Sequence, residues 1–249
     1  MKVVEFNAER GKRWLESAVL LKDADVIILN EMDIGMPRSN HQHTSRILAY
    51  HLETNYAWGL EFIKLMLGNK EDRQNIDSSE HNFHGLYGSA FLAKCTISNG
   101  TIFRDNIGPY FSHKSNGVNG RGFEKRLGGR MILLGSIMMN GQSITIGSTH
   151  KYDGSREDII DYIGSSRAII AGDQSPSLCK DVGLELILSD KKHYTWPATC
   201  NSFGRGRGDN ICSNMKIAEK EYTVKPCVTQ FGVKILLSDH ALTWSVLEF

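Results

Sequence analysis

Short runs of apolar and β-branched residues recur along the whole chain: Lys2–Asn7, Asp25–Asn30, Ser89–Ala93, Arg130–Met138, Ser143–Ser148, Ala168–Ala171, Tyr222–Val228 and Ala241–Leu247. Their length and content predict β-strands. In Val26-Ile27-Ile28-Leu29 and Ala168-Ile169-Ile170-Ala171 the apolar residues are continuous, which marks strands covered on both faces. Ser143-Ile144-Thr145-Ile146-Gly147 alternates instead. Helical spacing fills the intervals: Lys12–Lys22 with Trp14, Leu15, Ala18 and Val19, Thr44–Leu52 with Ile47 and Leu48, and Ser155–Ile163 with Ile159, Ile160 and Ile163. Ser155, three residues before Asp158, is placed to cap the last of these. The Trp14, Leu15, Ala18 stripe reads as core.

Helices and strands interleave without the strict alternation of a doubly wound sheet, which favours a layered α/β (α+β) sandwich over a Rossmann fold. No Pro- or Ser-rich linker and no repeat divides the sequence, so residues 1–249 read as a single domain. The least regular segment is Asn99–Gly129, rich in Gly and Asn, with Arg104, Lys114, Arg121, Lys125 and Arg126 scattered through it. It reads as a long functional or mobile loop.

Composition narrows the class without naming a function. With 41% hydrophobic and 23% charged residues, collagen-like and disordered readings fall away. The 29 basic and 28 acidic residues leave +1, so no global field draws the chain to DNA or an anionic membrane. The five cysteines are widely spread with no CxxC pair, and read as reduced, mostly buried thiols. Met1–Asn7 has too short an apolar run for a signal peptide, and no stretch approaches the roughly 18–20 apolar residues of a membrane span. A cytoplasmic protein is the expectation.

The informative pattern is where polar residues fall. Strand-like runs end repeatedly in a side chain able to ligate a metal, take a proton or contact phosphate: Phe6-Asn7, Leu29-Asn30-Glu31, Thr149-His150, Gly172-Asp173 and Ser238-Asp239-His240. Any one of them has an innocent reading as a turn former or cap. Their recurrence at strand ends points to an active site, because rigid strands hand over to loops there.

In this order the set resembles the endonuclease/exonuclease/phosphatase superfamily of metal-dependent phosphoesterases, which includes deoxyribonuclease I. Asn7 matches the asparagine after the family's first strand, Ile28-Leu29-Asn30-Glu31 its hydrophobic-Gln-Glu segment, and Ser148-Thr149-His150 its Asn-Thr-His. Gly172-Asp173-Gln174-Ser175 stands at the Gly-Asp-Phe-Asn box, Asp209 at the aspartate before a late strand, and Ser238-Asp239-His240 at the terminal Ser-Asp-His. Tyr194-Thr195-Trp196-Pro197 is similar to a further family stretch. One departure is that Ser175 replaces the asparagine that contacts the scissile phosphate, with Gln174 in place of the aromatic.

The resemblance implies a deoxyribonuclease I-like, four-layer αββα sandwich, with two mixed sheets face to face and helices outside. It implies Mg²⁺ or Mn²⁺ at Glu31, with Asn7 and Asp239 as further metal-side groups. Asp173 aligns and deprotonates the attacking water, His240 contacts phosphate with Asp209 as its partner, and His150 serves as general acid or phosphate ligand. Ser175 and Gln174 are candidate phosphate donors. Apart from the resemblance, Arg38 and His41 follow Glu31 closely and are candidates that the loop leaving that strand would carry to the substrate rim. The expected function is a divalent-metal-dependent phosphoesterase that hydrolyses a phosphate mono- or diester by activated water.

A nuclease acting on DNA or RNA is the alternative, although near-zero net charge disfavours a nucleic-acid partner. A non-catalytic relative that uses the cleft for binding is the second alternative. A membrane partner is not expected, since no exposed apolar hairpin or amphipathic basic helix is seen, and no obligate protein partner is evident. His41-Gln42-His43, and His81 with His84, lack Cys or carboxylate companions at ligand spacing and read as exposed loop histidines rather than zinc ligands. Gly204–Gly208 is either an anion-binding nest or a flexible turn.

Overall fold

The computed structural model describes residues 1–68, 70–73, 76–77, 79–81, 85–105, 110–115, 122–187, 198–199 and 208–249. Strands are numbered along the chain. One mixed sheet runs in the order β13 (Ile217–Val224), β16 (Leu242–Leu247), β1 (Lys2–Asn7), β2 (Val26–Ile34), β4 (Leu86–Ala93), β3 (Asn55–Lys64), β7 (Gly122–Gly128), β6 (Tyr110–Ser115). The second runs β11 (Glu185–Leu186), β12 (Asp209–Ser213), β10 (Arg167–Asp173), β9 (Gln142–Thr149), β8 (Met131–Met139), β5 (Ile97–Arg104). A separate hairpin joins β14 (Cys227–Gln230) to β15 (Val233–Leu236).

Alternation along each strand explains the continuous apolar runs. Successive side chains leave a strand on opposite faces, so Val26 and Ile28 enter one core while Ile27 and Leu29 enter another. The first core lies between the sheets, where Val3, Phe91 and Ala93 meet Leu133, Ile146, Ile169 and Ile211. On the outer side of the first sheet, Phe6, Ile27 and Leu92 pack with Leu21 of α1 (Trp14–Leu21) and Leu48 of α2 (Thr44–His51). Outside the second sheet, Ala168 and Ile170 pack with Ile159 of α4 (Arg156–Ile163) and Leu178 of α5 (Ser177–Asp181). The layers therefore follow the expected αββα order. Each fully buried aliphatic side chain contributes roughly 1.5–3 kcal/mol. A single helical turn, α3 (Lys70–Arg73), lies in the β3–β4 connection.

Several sequence expectations are corrected. The Asn99–Gly129 segment is not one loop. It contains the end of β5 and the antiparallel β6–β7 pair, which extends the sheet because Phe62, Ile63 and Lys64 of β3 accept Gly128, Leu127 and Arg126 as ladder partners. Tyr222–Val228 is not one strand, because β13 stops at Val224 and Pro226, which has no N–H to give a ladder, precedes β14. In α1, Leu15 and Val19 are 51% and 60% exposed. The helix turns Ser17 and Leu21 inward and packs Ala18 against the core, so of the expected stripe it is Leu15 that lies outside.

The β14–β15 hairpin carries exposed Phe231, Val233 and Leu236, so an apolar hairpin is present where none was expected. Among the described residues, no helix is long and apolar enough to cross a membrane. Tyr194–Pro197 and residues 204–207 lie outside the described residues, as does His84.

The cysteines also depart from the reduced state expected of them. Cys179 of α5 and Cys212 of β12 are disulfide-bonded with their Cα atoms 5.4 Å apart, and Cys227 is disulfide-bonded too. Wide spacing hid this, because the residues meet only when α5 packs on the second sheet. Cys95 is a free thiol. The bridge spans 33 positions, so replacing Cys179 and Cys212 by Ala should lower unfolding stability by roughly 3–4 kcal/mol on the chain-entropy account. Non-reducing peptide mapping should join the Cys179 and Cys212 peptides. Recovery of both as free thiols from native protein would contradict the pairing.

Candidate active site

Strand direction gathers the polar strand ends at one edge of the sandwich. β1 and β2 run parallel with Asn7 opposite Asn30, and β9 and β10 run parallel with Ser148 opposite Ala171. β12 runs antiparallel to β10 and begins with Asp209 opposite Asp173. β16 runs antiparallel to β1, so the Ser238-Asp239-His240 turn before it returns to the same edge. Alternation then decides the face: Asn7 follows Val3, Asn30 follows Val26 and Ile28, and Asp173 follows Ile169 and Ala171 from the inter-sheet core. The hydrophobic layer ends in a polar one.

Close approach at this edge depends on Gly172, at φ +145°, where a Cβ would lie 1.8 Å from the Thr149 carbonyl oxygen and 2.6 Å from Asn30 Oδ1. The gap lets the Asp173 backbone N–H donate to Asn30 Oδ1 at 2.6 Å. The Asn30 Nδ2 group donates in turn to Ser89 and Ser148 at 3.1 and 3.3 Å. Glu31 follows at φ +58°, at a break in the β2–β4 register. This turns its carboxylate towards the Asn7 amide, whose Nδ2 donates to Glu31 Oε1 at 3.4 Å.

His150 is the hub between the carboxylates. Its Nε2 lies 3.5 Å from Asp173 Oδ2 and 3.9 Å from Glu31 Oε1. Its Nδ1 has a donor, Arg130 Nη1, at 2.9 Å and an acceptor, Glu61 Oε1, at 3.3 Å. The neutral ring can therefore accept from Arg130 and the protonated ring can donate to Glu61, so both states find partners. Arg130 also donates to Glu61 Oε2 at 2.9 Å, and Ser89 donates to Glu61 Oε1 at 2.9 Å. His240 Nδ1 meets Asp209 Oδ2 at 2.8 Å. Its backbone N–H donates to Ser238 Oγ, which donates to the Asn7 carbonyl.

No family model matches the sequence, and no curated protein matches it. Solved structures do. An endonuclease/exonuclease/phosphatase family protein from Leptotrichia buccalis aligns with TM-score 0.62 at 16% identity, over 100% of both chains. A mannosyl-6-phosphatase from Bacteroides thetaiotaomicron aligns with TM-score 0.63 at 15% identity, again over 100% of both. D. rerio TDP2, solved with a single-strand DNA product, aligns with TM-score 0.55 at 14% identity over 100% of this chain and 99% of its own. The chain has the endonuclease/exonuclease/phosphatase fold.

Within that fold, the structure brings Asn7, Glu31, His150, Asp173, Asp209 and His240 to one edge. Asp239 is near enough for its charge to raise both Glu9 and His240. Other candidates sit differently from expectation. Arg38 is 2% exposed, with Nε and Nη2 on Asp33 and Nη1 on Asp72, so ion pairing draws it into the interior rather than to a rim. Gln174 is buried and donates to Cys212 Sγ at 3.5 Å, which turns its amide away from the cleft. His41 bonds Glu80 Oε2 at 2.7 Å and the Gly35 carbonyl at 3.2 Å. Ser175 Oγ is 2.9 Å from Ser177 Oγ at the start of α5. His43 is no loose loop histidine, since it caps α2 and stands edge-on to Tyr56 and Trp58.

Sequence reading missed Glu61, Arg130, Ser89 and Tyr87, whose hydroxyl stands 3.5 Å from His150 Nδ1. The available signal was Glu61 itself, an acid inside the apolar run Leu60-Glu61-Phe62-Ile63, which must find a cationic partner if buried.

Electrostatics set the protonation states. Burial alone would raise Asp173, but the hydrogen bond and charge of His150, with Lys151 and His240, hold it well below the usual carboxylate range. Burial likewise opposes ionisation of Glu31, and His150, Arg10 and His240 outweigh it. Among the described residues, no group of three or more His, Cys, Asp and Glu side chains converges on a metal position. An ion of the Mg²⁺ type needs only one or two protein carboxylates and fills its shell with water and substrate oxygens. The ionised Glu31 carboxylate, 18% exposed, fits such an ion as its one protein ligand. Asn7, expected as a further metal-side group, presents Nδ2 to Glu31 and gives Oδ1 to the Glu9 N–H, so it orients the carboxylate and adds no ligand.

Burial would lower His240, yet the charge and hydrogen bond of Asp209, with Asp173 and Asp239, raise it to about 9. A folded value above the unfolded 6.5 means that this pairing stabilises the protein fully below pH 6.5. The contribution is lost as pH rises through about 9. Thermal unfolding between pH 6 and 10 should show that decline in the parent protein, and Asp209→Asn should flatten it. A decline of equal size in Asp209→Asn would assign it to another group.

Proposed function

We propose that this protein is a divalent-metal-dependent phosphoesterase that hydrolyses a phosphate mono- or diester with an activated water. The observation that carries the reading is the convergence of an ionised Asp173, an imidazolium at His240 and an ionised Glu31 at one sandwich edge, bridged by His150. Phosphate hydrolysis needs a base for water, positive charge for the phosphoryl oxygens and a proton for the leaving oxygen.

Asp173 takes the water proton at its carboxylate. Asn30 fixes its backbone, and Lys151 Nζ lies 3.3 Å from Oδ2. His240, oriented by Asp209, offers Nε2–H to a phosphoryl oxygen. Protonated His150 hands its Nε2 proton to the leaving oxygen and keeps Nδ1–H on Glu61 before and after, with Arg130 holding the Glu61 carboxylate. A Mg²⁺ or Mn²⁺ ion at Glu31, when bound, supplies charge neutralisation to the phosphoryl group.

A small phosphate ester is the substrate class, in keeping with the net charge of +1 and with the phosphatase among the structural neighbours. Cleavage of nucleic acid is the second reading, favoured by the neighbour solved with a DNA product. The buried Cys179–Cys212 bond supports an oxidising compartment over the cytoplasm.

The test is a hydrolysis screen with Mg²⁺, Mn²⁺ or Ca²⁺ over sugar phosphates, nucleotides, bis-nitrophenyl phosphate and plasmid DNA. Activity should disappear in excess chelator, and Glu31→Gln should shift the metal concentration needed for half-maximal rate upward. Asp173→Asn and His240→Ala should each lower kcat by roughly 10²–10⁴-fold, and His240→Ala should also lose stability because buried Asp209 is left without its partner. Full turnover in chelator, or near-parental kcat in Asp173→Asn, would refute the scheme.

A further inference from the structure

The residue after His150 is held in an uncommon backbone conformation. Lys151 sits at φ +52°, in the left-handed region that a residue with a side chain keeps only where its surroundings enforce it. The enforcing contact is to the candidate base, because the Lys151 N–H donates to the Asp173 carbonyl at 2.8 Å. The turn leaving β9 is thereby tied to the end of β10. The same residue lays its ammonium against the Asp173 carboxylate, with Nζ 3.3 Å from Oδ2, and His150 Nε2 lies 3.5 Å from that oxygen. A carboxylate oxygen has two lone pairs. Both directions on Oδ2 are therefore faced by a nitrogen, and a water approaching this oxygen competes with them.

Lys151 differs from the other described cations of this region in its exposure. Arg38 is buried on Asp33 and Asp72, Arg130 is held on Glu61, His240 on Asp209, and Lys12 and Arg10 on Asp72. The Lys151 side chain is 59% exposed, and among the described residues Asp173 is the one ion-pair partner of its ammonium. An ion pair that water reaches is held weakly, and a phosphate group carries more negative charge than a carboxylate. Water activated by Asp173 attacks phosphorus, so the phosphoryl oxygens must come close to the Asp173 carboxylate. That position lies within the sweep of a flexible lysine whose backbone is fixed beside it.

We propose that Lys151 is a phosphate-binding residue that exchanges partners, its ammonium leaving Asp173 Oδ2 for a non-bridging oxygen of the scissile phosphate when substrate binds. The proposal rests on the phosphoesterase reading for the identity of the anion. The ammonium keeps its proton throughout, so the exchange transfers none and adds positive charge on the phosphoryl oxygens to that of His240. Arrival of the phosphate also opens the Asp173 oxygen that takes the proton of the attacking water.

The test is a binding cycle read by calorimetry, with inorganic phosphate as the probe in excess Mg²⁺. It compares the full chain with its Lys151→Met, Asp173→Asn and doubly substituted forms. Lys151→Met should weaken phosphate binding by roughly tenfold or more, the worth of a charged hydrogen bond. Lys151→Arg, which keeps a cation on a long stem, should stay within about threefold of the parent. Both substitutions fall on a side chain that stands mostly in water, so the fold should be unaffected. Exchange also fixes the sign of the coupling. With Lys151 in place, Asp173→Asn should tighten phosphate binding, since it releases the ammonium and removes a like charge. With methionine at position 151 only the second effect remains, and the gain should be smaller by roughly threefold or more.

Unchanged phosphate affinity in Lys151→Met overturns the contact, as does absence of phosphate binding to the parent protein. A gain from Asp173→Asn that is as large with methionine at 151 overturns the exchange, because Asp173 then does not compete with phosphate for the lysine. Failure of the parent protein to hydrolyse any ester, with Lys151-dependent phosphate binding intact, would count against the phosphoesterase reading alone.

Discussion

The hydrogen bond from the Asp173 backbone N–H to Asn30 Oδ1 joins the two sheets at the edge where the chemistry gathers, and most of the site is arranged around it. It forms only because Gly172 brings β10 against the Thr149 carbonyl and Asn30 without a side chain between them. From Asn30 the network runs through Ser89 to Glu61, and from Glu61 to His150 and Arg130. The water-activating candidate and the proton-donating candidate therefore share one frame. A buried amide left unpaired there would cost about 1–3 kcal/mol, so every member of the chain has a reason to keep its place.

Charge is managed the same way. Buried Glu61 is compensated by Arg130 and His150, buried Asp209 by His240, and buried Asp33 by both donors of the Arg38 fork. Such pairs add little net stability compared with a well-packed apolar core, but removing one partner leaves an uncompensated charge. The structure thus concentrates ionised groups at one edge of a sandwich whose middle is aliphatic. The same economy favours ionised Asp173 and Glu31 and protonated His240 at neutral pH, the states that the proposed hydrolysis would need.

The sequence by itself determined the alternation of two-faced strands, and with it the layered architecture. Val26–Leu29 and Ala168–Ala171 are apolar at every position, and runs this short and rich in β-branched residues are buried whole as strands covered on both sides. The sequence also determined which polar residues stand at the strand ends, because those are local facts: Asn7 after Phe6, Asp173 after Gly172, His240 after Ser238-Asp239.

What it could not determine were pairings between distant segments. The β6–β7 extension depends on an edge offered by β3, the Cys179–Cys212 bond on α5 meeting β12, and the orientation of α1 on which face finds Leu48 and the sheet. Arg38 and Gln174 carry the right chemistry in the right places along the chain, and only the positions of Asp33, Asp72 and Cys212 send them inward. Glu61 and Arg130 were unreadable for the converse reason. Their role is defined by a histidine 89 and 20 positions away respectively, and sequence spacing carries no information about contacts that the register between strands creates.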